Sequence, residues 1–87
     1  MRKAGKKDLN QAAIVAALRA IGCEVVIINQ EGVPDLLVGL RSVWMPVEVK
    51  SPRGHLTALQ AALRSRCWFP VVSSVDEALA LFACVVK

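Results

Sequence analysis

The chain has 87 residues, of which 55% are apolar, with 11 Lys/Arg against 7 Asp/Glu, a formal net charge of +4 and a pI near 9.4. That length bounds it to one domain burying about 60–65% of its unfolded surface, and excludes a large enclosed core. No apolar stretch reaches the roughly eighteen residues needed to cross a bilayer, and the basic start is not followed by a signal-peptide core, so a soluble, cytoplasmic protein is expected.

Met1 to Lys7 carries Arg2, Lys3, Lys6 and Lys7 with little apolar content and reads as a basic arm, set apart from a single domain over 8–87. Such an arm either lies along phosphates or serves only solubility. Asp8 is placed to N-cap a helix running to about Ile21, with Gln11 completing a capping-box pattern. Ile14, Leu18 and Ile21 mark its buried stripe, and Gly22 suits the left-handed residue that ends it. Gln11, three residues before Ile14 and seven before Leu18, is expected on the covered side.

Cys23 to Ile28 is a β-branched run and reads as the first strand. Asn29-Gln30-Glu31-Gly32 is turn chemistry, in which Glu31 is expected to be a solvated charge. Pro34 cannot donate to a ladder, which places it at a strand start and turns Asp35 out of the regular pleat. Leu36 to Leu40 forms the second strand, a tight turn at Arg41-Ser42 reverses the chain, and Val43 to Val49 returns antiparallel beside it. Trp44 is expected under the sheet edge or at a dimer contact.

Ser51 to His55 is a loop. Thr57 N-caps a helix to about Arg66, with Gln60 at its third position in a second capping box. Trp68 to Val72 reads as a short strand, and Ser74 with Glu77 opens a final helix carrying Ala78, Leu79, Leu81, Phe82 and Val85. The order is α-β-β-β-α-β-α, an α/β arrangement with a mixed sheet. Cys23, Cys67 and Cys84 lack CxxC spacing and fall in apolar segments, so reduced core thiols are expected, and one histidine leaves no zinc cluster. The high apolar fraction in so small a chain suggests a homodimer.

The chemistry gathers at Val47-Glu48-Val49-Lys50. Alternation along a strand projects Glu48 and Lys50 from one face while Val47 and Val49 bury on the other. The hairpin brings Asp35 to Glu48. Two carboxylates and a lysine at adjacent strand ends suit a hard divalent cation with oxygen ligands and hydrolysis of a phosphodiester. Taken without Asp35, an exposed Glu48–Lys50 pair would be only a salt bridge of about 0–1 kcal/mol.

The spacing of Pro34-Asp35 and Glu48-Val49-Lys50 resembles the PD-(D/E)xK nuclease superfamily. With Gly32 to Gly39, Trp44 to Ser51 and Leu56-Thr57-Ala58-Leu59-Gln60 added, nearly the whole chain is similar to a stand-alone VRR-NUC domain, the virus-type replication-repair nuclease. The resemblance implies a restriction-endonuclease-like core and Mg²⁺ or Mn²⁺ held by Asp35, Glu48 and the Val49 backbone carbonyl. It also implies catalytic roles for Lys50 and Gln60. An acidic residue commonly supplied by the first helix would fall near Ala13. Its absence leaves Gln11, or else Asn10 or Asp8, to take that place, or a site working with two carboxylates.

Lys3, Lys6, Lys7, Arg53, His55 and Arg64 are the candidate DNA contacts, and solvation alone explains them equally. The activity implied is a structure-specific DNA endonuclease, foremost a homodimeric Holliday-junction resolvase. The alternatives are a flap or nicking enzyme of phage replication, repair or packaging, and a catalytically weak DNA-binding module of the same fold.

Overall fold

The structure, a computed structural model, describes the backbone of residues 5–83 and the side chains of residues 10–83. The elements in chain order are α1 (Gly5–Ala20), β1 (Glu24–Ile27), β2 (Leu36–Leu40), β3 (Val43–Val49), α2 (Ala58–Arg66), β4 (Val71–Val72) and α3 (Val75–Leu81). The expected order stands, and β2 and β3 have the expected bounds. The strands form one mixed sheet in the order β1-β2-β3-β4, with β1, β2 and β3 antiparallel and β4 parallel to β3.

Helix α1 corrects the first expectation. It already runs from Gly5, so Asp8 is inside the helix rather than at its N-cap position. Lys6 and Lys7 belong to that helix instead of an arm, while residues 1–4, with Lys3, lie outside the described residues. A favourable cap contributes only about 1 kcal/mol, which continued helix propagation outweighs. At the other end Gly22 adopts φ +100° and Cys23 N–H donates to Leu18 O at 3.0 Å, the expected left-handed stop. That turn lifts Ile21 out of the stripe: it is 39% exposed, not buried.

Alternation along the strands sorts the two sheet faces. Val25, Leu36, Val38, Val47 and Val49 pack under Ile14 and Leu18 of α1 and Ala78 and Phe82 at α3 in one core cluster. The opposite face carries Val26, Leu37, Gly39, Trp44, Pro46 and Glu48. Trp44 stands across from Gly39, where an added Cβ would lie 2.9 Å from the indole, so the ring lies over the sheet there and is 55% exposed. Arg41 and Ser42 both adopt positive φ, 53° and 70°, the geometry of a type I′ two-residue turn. The free edge of β1 is blunted where Arg19 donates to Val25 O at 3.0 Å.

Strand β4 is shorter than Trp68–Val72. Pro70 accepts from Glu48 N–H at 3.0 Å but has no N–H to return, so pairing begins at Val71. Cys67 is the exposed C-cap of α2 rather than a core thiol. Cys23 is buried and free, and Cys84 lies outside the described residues.

Candidate functional site

Continuing the β2–β3 register one place past Leu36↔Val47 sets Asp35 opposite Glu48. The N–H groups of Glu48 and Lys50 point to β4, which makes 35/48 a non-hydrogen-bonded pair whose side chains share one face and approach closely. One place further, Pro34 falls opposite Val49. There the ladder would require a donor for the Val49 carbonyl, and proline has none.

Asp35 is a bend residue just before β2, out of the regular pleat as the proline predicts. Its backbone N–H donates to Glu48 Oε1 at 3.1 Å, and its Oδ2 accepts from Val49 N–H at 3.1 Å. Beyond the last ladder pair, Leu36↔Val47, side-chain oxygens thus accept the N–H groups of Asp35 and Val49. Both carboxylates are drawn to the same strand end.

Glu48 is wholly buried, and its Oε2 accepts from Gln60 Nε2 at 3.0 Å and lies 3.1 Å from Lys50 Nζ. The lysine side chain is 13% exposed, so this is a largely desolvated ion pair and not the weak surface bridge considered from sequence. Gln60 is set by its helix start: Thr57 Oγ1 accepts from Gln60 N–H at 3.1 Å, and Gln60 Oε1 accepts from Thr57 N–H at 3.0 Å. The capping oxygen and the site-facing amide belong to one side chain. Cap and site contact therefore coexist.

Asn10, not Gln11, reaches this end of the sheet. Its Nδ2 donates to the Lys50 carbonyl at 3.0 Å, whereas Gln11 lines a separate groove with Val15, Arg19 and Ile27. Asn10 shares the stripe of Ile14 and Leu18 at i+4 and i+8, a more direct signal than the offsets of three and seven that pointed to Gln11. Ala13 is exposed on α1.

Asp35, Lys50, Thr57 and Gln60 line an open cleft of about 350 Å³ together with the loop from Ile28 to Val33, including the exposed Glu31. Gly32 adopts φ +86°, and a Cβ added there would lie 3.3 Å from the Cβ of Leu59, so the loop sits close on α2. Arg53 and His55 are exposed beyond β3, Arg53 beside Asn10 and Ser73. Arg64 is half-buried, with its guanidinium carbon 5.0 Å from the Trp68 ring centroid.

Among the described residues no three His, Cys, Asp or Glu side chains gather into a metal-binding group. The oxygen donors at hand are two carboxylates and the main-chain carbonyl opposite Pro34. That all-oxygen set fits a hard cation such as Mg²⁺ or Mn²⁺, and does not fit zinc.

Comparison of the chain with protein-family models, curated proteins and solved structures finds no match in any of the three. The fold is that of a small α/β protein with a mixed four-stranded sheet and three helices. Among the described residues no helix is long and apolar enough to cross a membrane.

Proposed function

We propose that this chain is a metal-dependent DNA endonuclease with a PD-(D/E)xK, VRR-NUC-like core. The observation that carries the reading is Glu48: a wholly buried carboxylate held opposite Asp35 and ion-paired to Lys50. Desolvating such a pair costs several kcal/mol, and well-packed apolar residues in its place are often neutral or stabilising. A site that needs both carboxylates gives a reason for keeping it.

Asp35, Glu48 and the Val49 carbonyl would hold Mg²⁺ or Mn²⁺. When bound, the cation supplies a water of lowered pKa and offsets the charge that builds on the phosphate. Lys50 presents its ammonium at the same carboxylate, where it orients the attacking water and stabilises developing negative charge. Gln60 holds the Glu48 carboxylate in its rotamer. Asn10 ties α1 to the strand end that carries both.

The net charge of +4 supports a polyanionic substrate. Branched DNA cut by a symmetric pair of subunits, as in Holliday-junction resolution, is the preferred substrate reading. Flap or nicking activity is the second. A binding module without turnover is favoured by Ala13, which stands where the resemblance would place an acid.

The deciding experiment incubates the full chain with labelled four-way junction, flap and linear duplex in Mg²⁺, Mn²⁺ or EDTA. Paired junction cuts are expected in either metal and none in EDTA. Flap cuts alone support the second reading, and retardation without cleavage in any metal removes the enzyme.

A further inference from the structure

Trp68 is 70% exposed, more than any other exposed large apolar side chain among the described residues. Its ring is nevertheless held. The Arg64 guanidinium carbon lies 5.0 Å from the indole centroid and 5.8 Å from the Phe69 centroid, and Arg64 Nε donates to the Phe69 carbonyl at 2.7 Å. Phe69 itself is 2% exposed. A fixed cation therefore backs the indole, whose remaining surface faces solvent.

The position matters as much as the geometry. Leu56, Ala61, Arg64, Ser65 and Trp68 line a second cleft, and Leu56 and Ala61 are the chain neighbours of Thr57 and Gln60, which line the carboxylate cleft. From Gln60 to Arg64 is about one helical turn, roughly 6 Å along α2. Helix α2 contains Arg64 and Arg66 and no acidic residue.

We propose that Trp68, backed by Arg64, is a stacking platform for an unpaired nucleobase of a DNA strand whose neighbouring phosphates meet Arg64 and Arg66. The proposal deepens the DNA reading of the adjacent cleft and rests on it. A flat π-face beside positive charge suits a base attached to phosphate, since base–aromatic stacking tolerates any sequence. A second copy of this chain is the poorer occupant. A two-fold contact centred here would set Arg64 and Arg66 against their own equivalents.

The test measures binding by fluorescence anisotropy in EDTA, where no cleavage intervenes. Full-length wild type, Trp68→Ala, Trp68→Phe and Trp44→Ala are titrated onto a blunt duplex, the same duplex with a single-stranded dT overhang, and the single strand alone. Trp68→Ala is expected to weaken overhang and single-strand binding about tenfold while blunt-duplex affinity stays within about twofold, and Trp68→Phe to recover most of the loss. Trp44→Ala should leave the discrimination intact.

Equal loss on all substrates, no loss on any, or absence of wild-type binding would overturn the platform. So would a changed sedimentation coefficient for Trp68→Ala, which would make the indole a subunit contact. Because turnover plays no part in the readout, overhang discrimination without Mg²⁺-dependent cleavage would sustain the platform while removing the nuclease.

Discussion

The backbone N–H of Asp35 donates to Glu48 Oε1 at 3.1 Å, and the Asp35 carboxylate in turn accepts from the N–H of Val49. Each acid is thus anchored to the strand that carries the other, and neither can be altered without consequence for its partner. The pairing lies just past the last β2–β3 ladder pair, Leu36↔Val47, where the carboxylates take up main-chain N–H groups.

Glu48 is both a site residue and a structural one. Glu48→Ala would leave Lys50 and Gln60 facing a buried void, at a cost of about 3–5 kcal/mol, a large share of a small domain's stability. Glu48→Gln, which keeps the shape of the buried group, separates the roles better. Lys50→Ala strands the buried Glu48 carboxylate and should carry a comparable cost, so it is assayed on protein that urea denaturation shows to be folded, with Mg²⁺-dependent DNA nicking lost and DNA retardation retained. Cleavage at wild-type rates by purified Lys50→Ala would take this lysine out of the chemistry.

Thr57 and Gln60 share a capping box, but only Gln60 touches Glu48. Thr57→Ala should lower stability by about 1 kcal/mol and leave cleavage intact. Gln60→Ala, which removes the cap partner and a buried hydrogen bond, should cost about 2–3 kcal/mol and also slow cleavage. If the two variants lose activity in proportion to stability alone, Gln60 serves the helix and not the site.

Burial pushes the Cys23 thiol above its ordinary value of 9.0, while Cys67 is exposed. A folded-state pKa above the unfolded one favours the folded chain while the thiol is protonated. That contribution is complete below the unfolded pKa and declines as pH rises through the folded one. In a Cys84→Ser background at pH 8, one thiol should react rapidly with a disulfide reagent and map to Cys67, with Cys23 released only on unfolding. Rapid modification of both would contradict the packing of β1 on α1.

Arg41 and Ser42 occupy left-handed backbone that their side chains disfavour, by roughly 1–2 kcal/mol per residue. Ser42→Gly should therefore raise the thermal midpoint, corresponding to about 1 kcal/mol, without affecting DNA cleavage. A lower midpoint would mean that the Ser42 side chain contributes more than its backbone strain costs.

Much of this was legible because local rules and tertiary packing agree. Period-2 alternation sets β2 and β3, Gly22 stops α1, and the Thr57–Gln60 spacing starts α2, whereas the place of Gln60 beside the carboxylates is implied only by the family resemblance. The disagreements arose where a weak local preference met a stronger competitor. Asp8 lost its capping position to helix propagation, and Pro70 withheld the N–H that a longer β4 needed.

The Ser74–Glu77 start is intermediate between these cases. Ser74 Oγ accepts from Glu77 N–H as expected, but the Glu77 carboxylate turns back to Ser73 N–H instead of Ser74. Asn10 stands behind Gln11 in the sequence reading because helix phase over a short run fixes a face only to within a residue. Trp68 drew no functional reading because exposure of an aromatic is invisible until the strand that was expected to bury it ends short.

The central claim is that Asp35 and Glu48 together hold a divalent cation, and Mn²⁺ titration followed by electron paramagnetic resonance tests it without relying on turnover. Wild type should take up one or two Mn²⁺ per chain in competition with Mg²⁺, and Asp35→Asn and Glu48→Gln should each lose that uptake while remaining folded. Uptake unchanged in both variants, or none by a wild-type protein that still cleaves DNA, would contradict the account.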